Sequence, residues 1–215
     1  EWIVDGTPSL DVWQMDSRRF GAAYRSREYT VARTAEIYET YYDVKYPGHE
    51  REAGRPLRVS AANARLRELG AVFGEKSGWE RANWFRSNED PAFGTMKPRG
   101  WAGEHWSTAI VAEHVATRER AGLFDETSFA KLEVSGPGAC AFLQRICAND
   151  VDVPAGRVVY TQMLNARGCI GCDVTVARLR TDRFRIITGT AFGTHDLVWI
   201  TVAMVGARSA AMAFN

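Results

Sequence analysis

An α+β fold, with helices packed on mixed or antiparallel strands, is what this sequence predicts, and three observations carry it. Apolar residues recur at helical spacing early in the chain, with Val31, Ala35, Tyr38 and Tyr42 at i, i+4, i+7 and i+11. Short β-like runs follow late in the chain, over residues 157–163, 172–179 and 184–188. The last two runs are separated only by Arg180-Thr181-Asp182, a link that suits an antiparallel pair and is far too short for a parallel crossover. Helices interleaved with strands of that kind define the class.

Taken in order, Glu1 to Asp5 reads as a strand end and Gly6-Thr7-Pro8 as a turn. Asp16 to Gly21 leads into a helix over residues 28–42, whose apolar stripe is the one named above. Tyr46-Pro47-Gly48-His49 breaks it. His49 sits in a charged connector, without a nucleophile or acid placed near it by spacing, and reads as a surface or hydrogen-bonded histidine. Ser60 can cap a short helix through Leu66 and Leu69, closed by Gly70. The stretch 70–85 is aromatic and punctuated by glycine, and 88–103 is polar and rich in Pro and Gly, hence a long loop.

Ser107 caps the next helix, which runs to Arg120 with Val111 and Val115 inward and Gly122 as its stop. His114 lies on a face of that helix and reads as structural. Lys131 to Ser135 is a strand with Leu132 and Val134 on one face. A helix from Ala139 to Cys147 and a loop from Asn149 to Gly156 precede the three terminal strands.

Composition narrows the function classes. The 215 residues suffice for one large domain or two small ones. A formal charge of +1 is not the footprint of a nucleic-acid binder. Seven Trp and seven Tyr point to packed aromatic junctions or to a site for a planar ligand. No apolar run reaches bilayer length; residues 197–207 form the longest candidate and fall short. The opening Glu-Trp-Ile-Val-Asp-Gly has no initiator Met, basic segment or cleavage site, so a piece of a longer protein, starting inside a domain, is expected.

Cys169 and Cys172 form a C-x-x-C, the spacing of half a zinc site or a redox pair. Zinc needs four ligands, and Cys140 and Cys147 lie on an expected helix with no histidine at finger spacing, so no metal site is assigned. Reduced thiols fit a cytoplasmic protein.

The chemistry is expected between Tyr160 and Arg178. Two strands flank an Asn/Gly loop there, and the second carries one acid, Asp173, among apolar and small residues. A carboxylate in a strand costs free energy unless it is paired or used. Period-2 reading puts Asp173 with Thr175 on one face, Val174 and Val176 on the other, and Tyr160 with Val158 and Gln162. The residues alone leave two readings of Asp173 open: a working carboxylate, or an acid bonded to a neighbouring backbone N–H. Tyr160 by itself reads equally as a core aromatic.

Several motifs resemble known families. Gly70-Ala71-Val72-Phe73, Gly78-Trp79-Glu80, Ala112-Glu113-His114, Arg118 to Asp125, Val134-Ser135-Gly136-Pro137, Asn149-Asp150, Tyr160-Thr161 and Leu164 to Gly168 are similar to the glycine-cleavage T-protein (aminomethyltransferase) fold. Glu1 to Gly6, Asp16 to Phe20, Tyr46-Pro47 and Ala53 to Arg58 resemble the FAD-dependent dimethylglycine and sarcosine dehydrogenases, as do Thr188-Gly189-Thr190, His195-Asp196-Leu197 and Trp199-Ile200.

The resemblance implies four segments: 1–20 as the end of an FAD-binding domain, 21–58 as a small central domain, 59–200 as the start of a folate-binding domain, and 201–215 as a divergent tail. It implies folate-dependent capture of the one-carbon unit of an N-methyl amine, delivered as an iminium and released as 5,10-methylenetetrahydrofolate. Asp173 then matches the folate-site acid, Tyr160 and Thr175 its neighbours, and Thr190 a strand end near the pterin. The FAD-nucleotide fold is expected to be absent, since no G-x-G-x-x-G occurs in the chain, so flavin would come from a separate FAD-binding domain. Neither nucleic acid nor membrane is an expected partner.

Two departures stand out. The family carries glycine where Cys169 stands and an acidic or small polar residue near Gly171, so strain is expected at Cys169 if its turn demands positive φ. The tail after Ile200 matches nothing in the family and is expected to be a truncated or shifted end, disordered or loosely packed, leaving the folate site partial. Three readings therefore stand side by side: the folate-side portion of a demethylating enzyme, a non-catalytic folate- or partner-binding module, or a non-functional remnant.

Overall fold

The computed structural model describes residues 2–6, 10–165, 167–204 and 211–214. They form two compact units, one of Phe20–Ser128 and one of Glu1–Arg19 with Phe129–Asn215. The chain opens with a helical turn, α1 (Trp2–Asp5), where a strand end was expected. Four residues are too few to separate a strand period from a helical one. Glu1, Thr7, Pro8, Ser9, Ala166 and residues 205–210 and 215 fall outside the described residues, and with them parts of the expected strand end, first turn, Asn/Gly loop and tail.

In the Phe20–Ser128 unit, α2 (Arg27–Glu39) is capped by Ser26, whose hydroxyl accepts from the Tyr29 N–H at 3.2 Å. The helix ends at Glu39, before Tyr42. Its expected inward stripe faces out: Val31, Tyr38 and Tyr42 are 60%, 79% and 94% exposed. The buried side carries Arg33 instead, which pairs with Glu36 and with Glu75 of the following hairpin. Glu36 also accepts the N–H groups of Glu52 (2.7 Å) and Ala53 (3.2 Å).

A short helix, α3 (Asn63–Glu68), follows without a side-chain cap. The Ser60 hydroxyl expected there donates to Asp125 instead. β1 (Ala71–Lys76) and β2 (Trp79–Phe85) pair antiparallel. Ser77 and Gly78 both hold positive φ, 51° and 82°, the requirement of a two-residue hairpin turn whose twist matches its strands. The expected loop 88–103 contains 3₁₀ turns at Pro91–Met96 and Gly100–Gly103. α4 (Thr108–Glu119) begins as expected, with the Ser107 hydroxyl accepting from Ala109 N at 3.2 Å. His49 and His114 are exposed.

The other unit is one sheet with helices. β3 (Ala130–Ser135), α5 (Ala139–Ile146), β4 (Val158–Leu164), β5 (Ile170–Arg180), β6 (Arg183–Thr188), α6 (Gly193–Met204) and β7 (Ala211–Phe214) follow in turn. The strand order is β4-β5-β6-β3-β7, and every described pair is antiparallel. Leu132, Val134, Val174, Val176, Phe184 and Ile186 turn one face inward, onto Phe142, Leu143 and Ile146 of α5 and Ile200 of α6. Each such side chain stabilises the fold by roughly 1.5–3 kcal/mol on burial. Residues 201–204 complete α6, and Ala211–Phe214 pairs with β3 from Leu132↔Phe214 to Ser135↔Ala211. The tail therefore contributes a strand, correcting the expectation of disorder or loose packing.

Candidate functional site on the open face of the sheet

The loop between β4 and β5 is built around Asn165. Its side-chain oxygen accepts from Arg167 N (2.9 Å) and Cys169 N (3.0 Å), and its own N–H reaches Cys169 O at 2.9 Å. The positive φ that this turn needs falls on Gly168, at 77°. Cys169 is exposed and avoids that region; Ser77 alone holds it among the described non-glycine residues. The expected strain at Cys169 does not arise.

β5 then takes up one extra residue. Leu164 pairs with Ile170 and Met163 with Cys172, leaving Gly171 as a bulge. A Cβ at Gly171 would lie 3.1 Å from Trp199 Nε1, so a larger side chain there meets the indole of α6. The bulge sets the register of the rest of the strand. Cys172, Val174 and Val176 face the core, while Asp173 is exposed and Thr175 half-buried on the other face.

Antiparallel pairing sets Gln162 opposite Asp173 and Tyr160 opposite Thr175. Tyr160, 58% exposed, reaches diagonally to its neighbour's partner, and its hydroxyl donates to Asp173 Oδ2 at 3.0 Å. Three of the four expected site residues thus stand together. Thr190 is half-buried in the turn between β6 and α6, outside the paired rows. Gln162 belongs with the three and was legible in the period-2 pattern that grouped it with Tyr160.

β4 lies at the edge of the sheet, and the segment 147–149 covers it. Ala148 N donates to Gln162 O (2.8 Å), Asn149 Nδ2 to Tyr160 O (2.7 Å), and Asn149 N to Thr161 Oγ1 (3.0 Å). The backbone that aims Tyr160 is therefore held from both sides. Farther along the same face, Arg185 and Arg183 of β6 bond Glu133 and hold its carboxyl below the ordinary glutamate range. On the core side, burial pushes the Cys172 thiol up to about 12, so it packs as a protonated, weakly reactive group. No three His, Cys, Asp or Glu side chains converge as a metal would require among the described residues.

An exposed carboxylate held by a phenol, on a face with an amide and a threonine, can bind an N–H donor and take its proton. The tyrosine bond uses one of roughly four acceptor positions on the carboxylate. A planar ligand with ring N–H groups fits this face, since Tyr160 offers an accessible aromatic surface beside the acid. The described strands of this unit pair antiparallel, unlike the parallel strands of the doubly wound dinucleotide fold.

Two family models match the chain. The GCVT N-terminal domain matches residues 62–212, and the FAD dependent oxidoreductase central domain matches residues 5–60. The 4-methylaminobutanoate oxidase (formaldehyde-forming) of Paenarthrobacter nicotinovorans is 39% identical over 87% of this chain and 22% of its own length. The mitochondrial pyruvate dehydrogenase phosphatase regulatory subunit of Mus musculus is 34% identical, covering 93% and 23%. The mitochondrial dimethylglycine dehydrogenase of Rattus norvegicus is 30% identical, covering 95% and 23%. The chain thus spans about a quarter or less of the length of these relatives.

The glycine cleavage system aminomethyltransferase T of Bartonella henselae shares the fold, with a TM-score of 0.58 at 21% identity over 74% of this chain and 38% of that one. No helix among the described residues is long and apolar enough to cross a membrane. With its family model matched over residues 62–212, most of the chain, and the FAD dependent oxidoreductase central domain matched over residues 5–60, the chain belongs to the GCVT N-terminal domain family.

Proposed function

We propose that this chain supplies the folate-binding face of a flavin-dependent N-methyl amine dehydrogenase, with Asp173 as its working carboxylate. One observation supports the reading above the others: the Tyr160 hydroxyl and Asp173 join by a 3.0 Å hydrogen bond on an exposed sheet face. Tetrahydrofolate, when bound, supplies the amine nitrogen that captures a one-carbon unit from an iminium donor. Asp173 would bind the N–H of that amine and accept its proton as the nitrogen bonds to the iminium carbon. It would return that proton to the demethylated amine, which leaves as the donor C–N bond breaks. Tyr160 holds the carboxylate in place, and Thr175 and Gln162 offer polar contacts on the same face.

The flavin that generates the iminium is assigned to a separate FAD-binding domain, a reading supported by the lack of a G-x-G-x-x-G motif in the sequence. Residues 21–58 are read as the central domain and 59–200 as the folate-binding portion; the matched ranges themselves run over 5–60 and 62–212. A cytoplasmic location is proposed on the four unpaired cysteines.

Calorimetric titration of the full chain with tetrahydrofolate tests the reading. Saturable binding that Asp173→Asn weakens tenfold or more, by about 1.4 kcal/mol, is the expected result. A folded chain that binds no tetrahydrofolate, with or without the flavin domain, sinks it.

A second reading has its own support. One relative is named a regulatory subunit, so the same face can hold a ligand or partner without turnover. Sustained methylene transfer from an iminium donor rules that reading out.

A further inference from the structure

We infer that Phe192 is the second aromatic wall of the Asp173 site, a specificity-determining residue that faces Tyr160 across β5; this rests on the folate reading above. The placement follows from the strand register. Thr175 pairs with Ile187 and Val176 with Ile186, so carrying that antiparallel register two residues past its last pair would set Gly189 opposite Asp173. Thr188 turns into the core, where its hydroxyl bonds the buried carboxylate of Asp196. A side chain at Gly189 would therefore point to the other face, the one that carries Asp173 and Tyr160.

That position is open except for one group. A Cβ added to Gly189 would meet only Phe192 Cδ2, at 3.3 Å. The ring of Phe192 thus stands on the Asp173 face, in the space that a side chain at 189 would fill. It is 52% exposed, comparable with the 58% of Tyr160.

The ring is also held. Phe192 N donates to Gly189 O at 2.9 Å, and Asp196 N donates to Phe192 O at 2.8 Å. Its edge meets the His195 ring at 6.3 Å, and His195 Nδ1 lies 2.7 Å from Asp196 Oδ1. Two exposed aromatic side chains, one based on β4 and one beyond β6, therefore flank the strand that carries the acid. Two strand spacings, about 9.5 Å, separate β4 from β6, which is room for a planar ring system whose N–H groups meet Asp173.

Calorimetric titration of the full chain with tetrahydrofolate separates a ligand wall from mere packing. Phe192→Leu keeps apolar bulk and removes the π face; Phe192→Tyr keeps both. Phe192→Leu is expected to weaken binding about tenfold, with Phe192→Tyr near wild type and an unchanged melting temperature in each. Gly189→Val, whose side chain would crowd the Phe192 ring out of its place beside Asp173, is expected to weaken binding similarly.

Full affinity in Phe192→Leu, or equal loss in the Tyr and Leu variants, overturns the inference. If Phe192→Leu does not fold, full affinity in Gly189→Val overturns it instead. Wild-type binding that Asp173→Asn weakens while Phe192→Leu does not leaves the folate reading standing and removes this inference alone. Absence of wild-type binding removes both.

Discussion

The five-stranded sheet and helix α2 use the same kind of residue pattern in opposite senses. In the sheet, Leu132, Val134 and Ile186 are fully buried and the alternate residues Glu133, Arg183 and Arg185 carry the ions of the open face. In α2 the ions lie inside, with Arg33 against Glu36 and Glu75, and the apolar stripe of Val31, Ala35 and Tyr38 looks out. Periodicity identifies which residues share a face; it does not say which face will be covered. In the sheet the apolar face wins because α5 and α6 bring a second apolar surface to it. α2 meets a hairpin that offers Glu75, and the cation follows.

The two solutions differ in strength. Apolar burial needs no partner geometry, whereas a part-buried ion pair offsets a desolvation cost with each hydrogen bond it completes. Arg33 completes them only in part: its Nε has no acceptor among the described residues, a deficit that costs about 1–3 kcal/mol. The sheet unit is therefore expected to be the firmer of the two.

The largest effect should come from the sheet. Phe184→Ala, at a fully buried position, is expected to cost about 4 kcal/mol in chemical denaturation. Loss of less than about 1 kcal/mol would show that the core around β6 is loosely filled. Next comes Arg33→Ala, expected to cost about 2 kcal/mol, since Glu36 and Glu75 keep some contact with water. Pairing Arg33→Met with Glu75→Leu should recover most of that loss, because the orphaned charge goes too. The smallest effect belongs to the outward stripe. Val31→Ala and Tyr38→Ala should each stay within about 0.5 kcal/mol of wild type, and a larger loss would mean the stripe is covered in solution.

The sheet unit was the more legible region for the same reason. Strands 158–164, 170–180 and 183–188 fall within two residues of the expected runs, and Asp173 and Thr175 face away from Val174 and Val176 as their alternation requires. The bulge at Gly171 was not legible, because it arises from pairing with β4 and from Trp199 on a distant helix. Ser60 was misjudged for a similar reason: a capping hydroxyl and a long-range partner for Asp125 are the same residue in sequence. At the candidate site, Tyr160, Asp173 and Thr175 could be grouped by arithmetic on two strands. Phe192 could not, since its place depends on a turn that returns it to the face beside a missing side chain at Gly189.

The central claim is that a pterin-bearing ligand lies on the open face of β4 and β5 beside Asp173. Backbone chemical-shift mapping of the isotopically labelled chain, titrated with tetrahydrofolate, tests it directly. Saturable shifts concentrated at Tyr160, Gln162, Asp173 and Thr175 are expected, and their loss in Asp173→Asn. Shifts confined to the Phe20–Ser128 unit, or none at saturating ligand, would contradict it.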